Sequence, residues 1–208
     1  MRLVPFSTLL CVALLAGPIC GTSAAAAAPA AAPAASSGGA AVAGPAEVTP
    51  DPIDSALAVL ADRPTPAVAA ATRARLEALW NRSGSDAADL LMRRAGRLVE
   101  VDEQRAAFGL LDAAVALTPG WAEGRRRRAM LRLSHGQPEA AQTDLEAALR
   151  AEPRHFPSMS LLAAVHEVRG NRAAALDWLR RAAALDPTDT VLGDRLKALA
   201  IEVEGRDI

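Results

Sequence analysis

Four consecutive arginines, Arg125-Arg126-Arg127-Arg128, form the densest run of charge in the chain. Such a run offers a positive surface to an acidic partner segment. On a helix, four successive residues point around most of the circumference, so the run equally fits charge spread over a solvated face. Three histidines, His135, His155 and His166, show no ligand spacing such as H-x-x-x-H or H-E-x-x-H and are expected to be structural. No G-x-S-x-G, P-loop or dinucleotide glycine pattern is present. The acidic residues stand near arginines and read as solvated pairs, worth little each. These features predict a chain that is not an enzyme, with no catalytic residue, cofactor or metal site. Asn81-Arg82-Ser83 is formally a glycosylation sequon. Trp80, Trp121 and Trp178 read as packing anchors at helix ends. A formal net charge of −1 gives no general drive toward nucleic acid, and no such partner is expected. Lys197 is the single lysine against many arginines, a bias that fits a GC-rich bacterial genome.

The elements that carry these residues follow from a repeat. Pro119, Pro153 and Pro187 recur at an interval of 34 residues. Stacking the chain at that period gives units 88–121, 122–155 and 156–189. Alanine repeats at 95, 129 and 163, at 106, 140 and 174, at 107, 141 and 175, and at 114, 148 and 182. Leu111, Leu145 and Leu179 repeat in the same frame. Ala107, Leu111 and Ala114 have the spacing of one helix face. Small residues let two helices approach closely while leucine fills the space between them. Each proline lacks an N–H and marks the end of a second helix. Gly136 and Gly170 fall where the first helix turns into the second; the first unit has Asp102 there.

These columns resemble the tetratricopeptide repeat family, whose pattern sets small residues on both helices, a large apolar residue between them and a closing proline. The resemblance covers 88–189 and implies an all-α, right-handed solenoid of three helix hairpins. It departs from the pattern in the middle unit. The large positions of the first helix hold Leu91, Arg125 and Met159, then Arg94, Arg128 and Leu162, then Leu98, Arg132 and His166. Either the middle unit is less stable than its neighbours, or it buries arginine stems with the heads reaching solvent. Ser83-Gly84-Ser85-Asp86 leading into Leu90-Leu91-Met92, together with Glu152-Pro153-Arg154-His155-Phe156, is similar to a group of small exported bacterial proteins of this family.

The family's groove implies a concave stripe along the first helices. Here it runs through Asp89, Met92, Gly96 and Val99, then Glu123, Arg126, Met130 and Leu133, then Pro157, Ser160, Ala164 and Glu167. Met92 and Met130 suit adaptable apolar binding. Arg126 sits between them, with Arg93 and Arg127 alongside. The expected binding residues are therefore Met92, Arg93, Arg126, Arg127, Met130 and Leu133, and the expected partner is a protein or peptide segment combining apolar and acidic residues. The family's clamp for a chaperone carboxylate needs asparagine on these helices, and Asn81 and Asn171 lie elsewhere.

The flanks complete the organisation. Arg2, the apolar run 9–16, Gly17-Pro18 and the small residues after Gly21 predict a cleavable export signal over 1–24. Cys11 and Cys20 both fall within it, so the mature chain would hold no disulfide. Residues 25–50, rich in Ala and Pro, read as a tether. Over 51–87, Ile53, Leu57, Leu60, Leu76, Leu79 and Trp80 predict two helices, read as a cap on the first unit. Beyond Pro187, an amphipathic stretch over 188–203 predicts a closing helix within a 190–208 cap. The functional expectation is a non-enzymatic interaction module of the bacterial envelope, periplasmic or extracellular, with no stable membrane insertion after signal cleavage. The alternative is a membrane-tethered assembly factor or a structural subunit of an envelope complex.

Overall fold

Prolines, caps and left-handed turn residues divide the chain into helices. The computed structural model describes residues 50–205; the expected export segment, nearly all of the tether and both cysteines lie outside the described residues. Within that span run α1 Pro52–Ala61, α2 Pro66–Trp80, α3 Asp86–Glu100, α4 Gln104–Leu117, α5 Ala122–Ser134, α6 Pro138–Ala151, α7 Phe156–Val168, α8 Arg172–Leu185 and α9 Thr190–Glu204. There is no strand among the described residues. The hairpins α3–α4, α5–α6 and α7–α8 occupy the three repeat units and stack in order.

All three hairpin turns are built alike. Asp102 (φ 60°), Gly136 (φ 70°) and Gly170 (φ 74°) take the left-handed conformation. The following N–H groups of Glu103, Gln137 and Asn171 donate to Leu98, Arg132 and His166 at 2.8, 2.9 and 2.8 Å. This satisfies carbonyls that the helix ends leave free. Asp102 thus does the work of glycine, and its side chain accepts from Gln104 Nε2 at 2.7 Å.

Four of the five alanine and leucine columns form the core; the fifth, Ala106, Ala140 and Ala174, is exposed or half-buried. Ala95, Ala107, Leu111, Ala114 and their equivalents in the next two units are all buried. The apolar interior is nevertheless in two pieces. One cluster holds Ala88, Met92, Ala95, Ala107, Leu111, Ala114, Trp121 and Leu131. The larger one gathers the other two units, α9 and the N-terminal hairpin α1–α2.

That second membership corrects the expected position of residues 51–87. The hairpin is helical as expected, but it does not cover the first unit's outer face. It runs along the edge where the inter-repeat connectors emerge. Trp80 meets His155 and Phe156 edge-on, with centroids 4.5 and 5.3 Å apart. Trp121 Nε1 donates to the Trp80 carbonyl at 2.7 Å. Arg154 pairs with Asp51 and Asp54 at the start of α1. Arg73 on α2 donates to Asp186 and Thr188 at 3.2 and 3.0 Å. All three connectors are tied to it. Trp80 and Trp121 therefore anchor at helix ends, whereas Trp178 lies mid-helix in α8 under Arg181.

The closing helix starts two residues later than 188. Thr188 belongs to the connector, and the Asp189 side chain caps α9 by accepting from Leu192 N–H at 3.0 Å. Leu192, Leu199 and Ala200 bury its inner face. No helix among the described residues is long and apolar enough to cross a membrane.

Candidate functional site

The four arginines of α5 divide into two pairs that turn inward in different directions. Arg128 grips Asp144 with two contacts of 2.8 and 2.6 Å and reaches Asp112 on α4 at 2.7 Å. Arg132 and Arg125 approach the same Asp144 at 3.0 and 3.6 Å. Arg132 also lies over the Phe108 ring, 5.6 Å from its centroid. Asp144 is 2% exposed. The three arginines that break the family pattern thus replace apolar packing with one shared, buried carboxylate. Their heads turn to this carboxylate while keeping 14–20% of each side chain exposed, and Asp144 is no solvated surface acid. This ionic layer occupies the space between the two apolar clusters.

Arg126 and Arg127 close on Glu123, one turn back. Arg126 donates to both its oxygens at 2.7 and 2.8 Å, and Arg127 donates at 2.6 Å. Arg127 also donates to Asn81 at 2.9 Å. Burial would raise the Glu123 pKa, but the two guanidinium groups outweigh it and hold the carboxyl below its ordinary value. His155, behind Glu123, is fully buried, and its Nδ1 shares a 2.7 Å hydrogen bond with Ser158 Oγ. Burial pushes its pKa down to about 4, so the ring is neutral near pH 7 and its 3.5 Å approach to Glu123 is not an ion pair.

Above this charged foundation lies a groove of about 460 Å³ between α3 and α5. Met92, Gly96 and Val99 line it from α3; Arg126, Arg127 and Met130 line it from α5. Met130 and Val99 are 47% and 43% exposed and face each other across it. Gly96 leaves open space where a side chain would stand. Four of the six expected binding residues, Met92, Arg126, Arg127 and Met130, meet here. Arg93 is exposed and outside the lining, and Leu133 packs against the larger apolar cluster. Asp89, from the expected stripe, instead accepts from the Ser83 N–H in the α2–α3 connector.

The stripe continues into the third unit but changes character. Pro157, Ser160 and Ala164 line a shallower hollow of about 340 Å³ with Leu192 and Arg195 of α9. Arg195 donates to Glu167 at 2.9 Å and to the Ser160 carbonyl at 3.4 Å, bridging that end. Ala95, Leu111 and Leu131 from the core and the polar Glu100, Gln104 and Ser134 also line the first groove and were absent from the expected stripe. Glu100 lies one residue beyond Val99, so the offset of 34 from Ser134 was the available signal.

A family model described as tetratricopeptide repeat matches residues 126–190. A TPR repeat-containing protein of Rhizobium etli is 36% identical over 142 residues, covering 68% of this chain and 69% of that protein. Among solved structures, the first TPR of Spaghetti (RPAP3), bound to an HSP90 peptide, superposes with a TM-score of 0.55 at 14% identity, over 57% of this chain and 94% of that one. The Yersinia enterocolitica type III secretion chaperone SycD, in complex with a peptide of the translocator YopD, gives 0.54 at 17% identity, over 58% and 97%.

Proposed function

Because the chain belongs to the tetratricopeptide repeat family, we propose that it is a non-enzymatic interaction module holding a protein or peptide segment in the α3–α5 groove. One observation carries this reading: an open apolar groove, with Met130 and Val99 exposed, beside the Glu123 ion pairs of Arg126 and Arg127. A methionine-lined surface adapts to partner side chains. The Arg126 and Arg127 pair at its rim favours a segment that joins apolar to acidic residues. That two proteins of like fold are described with bound peptides accords with this reading. Photo-crosslinking tests it. A benzophenone side chain at position 130 should trap a discrete partner in the native cell, Val99→Glu should abolish the adduct, and the same probe at exposed Glu139 should not form it. Equal labelling from positions 130 and 139 would overturn the groove reading.

The setting we propose is the bacterial envelope, with the segment 1–24 removed on export. Arg2, the apolar run 9–16 and the small residues after Gly21 support it. The intact mass of the protein from a periplasmic extract should lack the N-terminal segment. A full-length cytoplasmic species retaining Met1 would overturn it.

A further inference from the structure

The two ends of the α3–α5 groove carry unlike charge. Arg126 and Arg127 line the end near the start of α5, and Glu100 lines the end where α3 stops. The stretch from Met92 to Glu100 spans about 12 Å at 1.5 Å per helical residue. Met92, Gly96, Val99 and Met130 make the floor and walls between.

Neither end has its hydrogen-bonding capacity filled among the described residues. Two guanidinium groups share the single Glu123 carboxylate. Each of them keeps its Nη1 without a hydrogen-bonded partner among the described residues. Glu77 on α2 also faces Arg126 and moderates the field there. Glu100 is exposed and makes no ion pair among the described residues.

We propose that this groove selects a bipolar segment: an acidic residue at the Arg126 and Arg127 end, bulky apolar side chains over Met130, and a basic residue at the Glu100 end. The inference rests on the groove reading above and sharpens its partner from acidic-apolar to acidic-apolar-basic. In an extended segment, rising about 3.3 Å per residue, the two charges stand about four positions apart. Charge at both ends fixes register, which an apolar trough alone does not.

The test uses capped synthetic peptides of sequence Ser-Glu-Leu-Met-Leu-Lys-Ser. Versions carrying Glu at both ends, Lys at both ends, or Gln at both ends complete the set. The Met92 and Met130 methyl resonances of the protein report binding even when it is weak. The bipolar peptide should bind about three- to tenfold more tightly than the Gln version, and 0.5 M salt should erase most of that difference. Glu100→Lys, at an exposed position, should transfer the preference to the doubly acidic peptide. If all four peptides shift Met130 with equal affinity and Glu100→Lys changes nothing, the bipolar inference fails while the apolar groove stands. If no peptide moves either methyl at millimolar concentration, both fail.

Discussion

Arg128 and Asp144 form the hub of the joint between the first and second repeat units, through a bidentate contact of 2.8 and 2.6 Å. The carboxylate is buried, and Arg125 and Arg132 converge on it as well. Removing one member of such a cluster leaves uncompensated charge inside the protein. Asp144→Ala should therefore destabilise by about 3–5 kcal/mol in urea denaturation. Replacing the whole cluster, with Leu at 125, 128, 132 and 144, should recover most or all of that loss. A mild Asp144→Ala phenotype would mean that the arginines find water instead.

His155 sets a second expectation. Its pKa in the fold is about 4, against 6.5 for an ordinary histidine, chiefly because it is buried. Below about pH 6.5 the unfolded chain takes up a proton that the folded chain refuses. This contribution is therefore fully present above 6.5 and is lost as pH falls toward 4, amounting to about 3 kcal/mol at the lower limit. His155→Gln should flatten the stability profile in that window. An NMR titration placing the His155 midpoint above 6 would contradict it.

Gly124 stands where a Cβ would come within 2.7 Å of Trp121 Cε3. Trp121 is itself held by its bond to the Trp80 carbonyl and cannot easily yield. Gly124→Ala should destabilise by about 1–3 kcal/mol, despite the better helix propensity of alanine. Gly109→Ala, in α4 with open space around it, should instead stabilise by about 0.5–1 kcal/mol. Paired thermal melts check both signs.

Trp80 is the largest apolar anchor of the N-terminal hairpin, against His155 and Phe156. Trp80→Ala should cost about 3–5 kcal/mol and leave the connector after α2 open to limited proteolysis. Unchanged cleavage would show that the polar ties at Arg73 and Arg154 suffice alone.

The regular part of this fold was legible because its physics is local. A closing proline, a left-handed turn residue and an Ala-Leu-Ala face recur within single units. The ionic joint was harder to read, since Arg125, Arg128 and Arg132 look like surface charge until their partner is found on another helix. One signal existed: Asp144 lies three residues after Ala141 and four before Ala148, on the buried face of α6. The docking of α1 and α2 left no comparable trace. Arg73 and Asp186 are 113 residues apart, and Arg73 lies outside the repeat frame, so no period pairs them. In the groove, Met92 and Met130 followed from the stripe that the family resemblance implies. Leu133 did not belong because its face of α5 turns into the larger cluster.

The strap of α1 and α2 has a consequence for the order of assembly. Stacked repeats are quasi-one-dimensional and can close unit by unit as a chain is made. Here α1 and α2, which precede the repeats in the chain, cannot complete their docking until Asp186 and Thr188 exist. A segment made before the repeats thus finds its place only after them. Long-range closure of this kind slows folding relative to a simple array and leaves Leu57, Leu60, Leu76 and Trp80 uncovered during the wait.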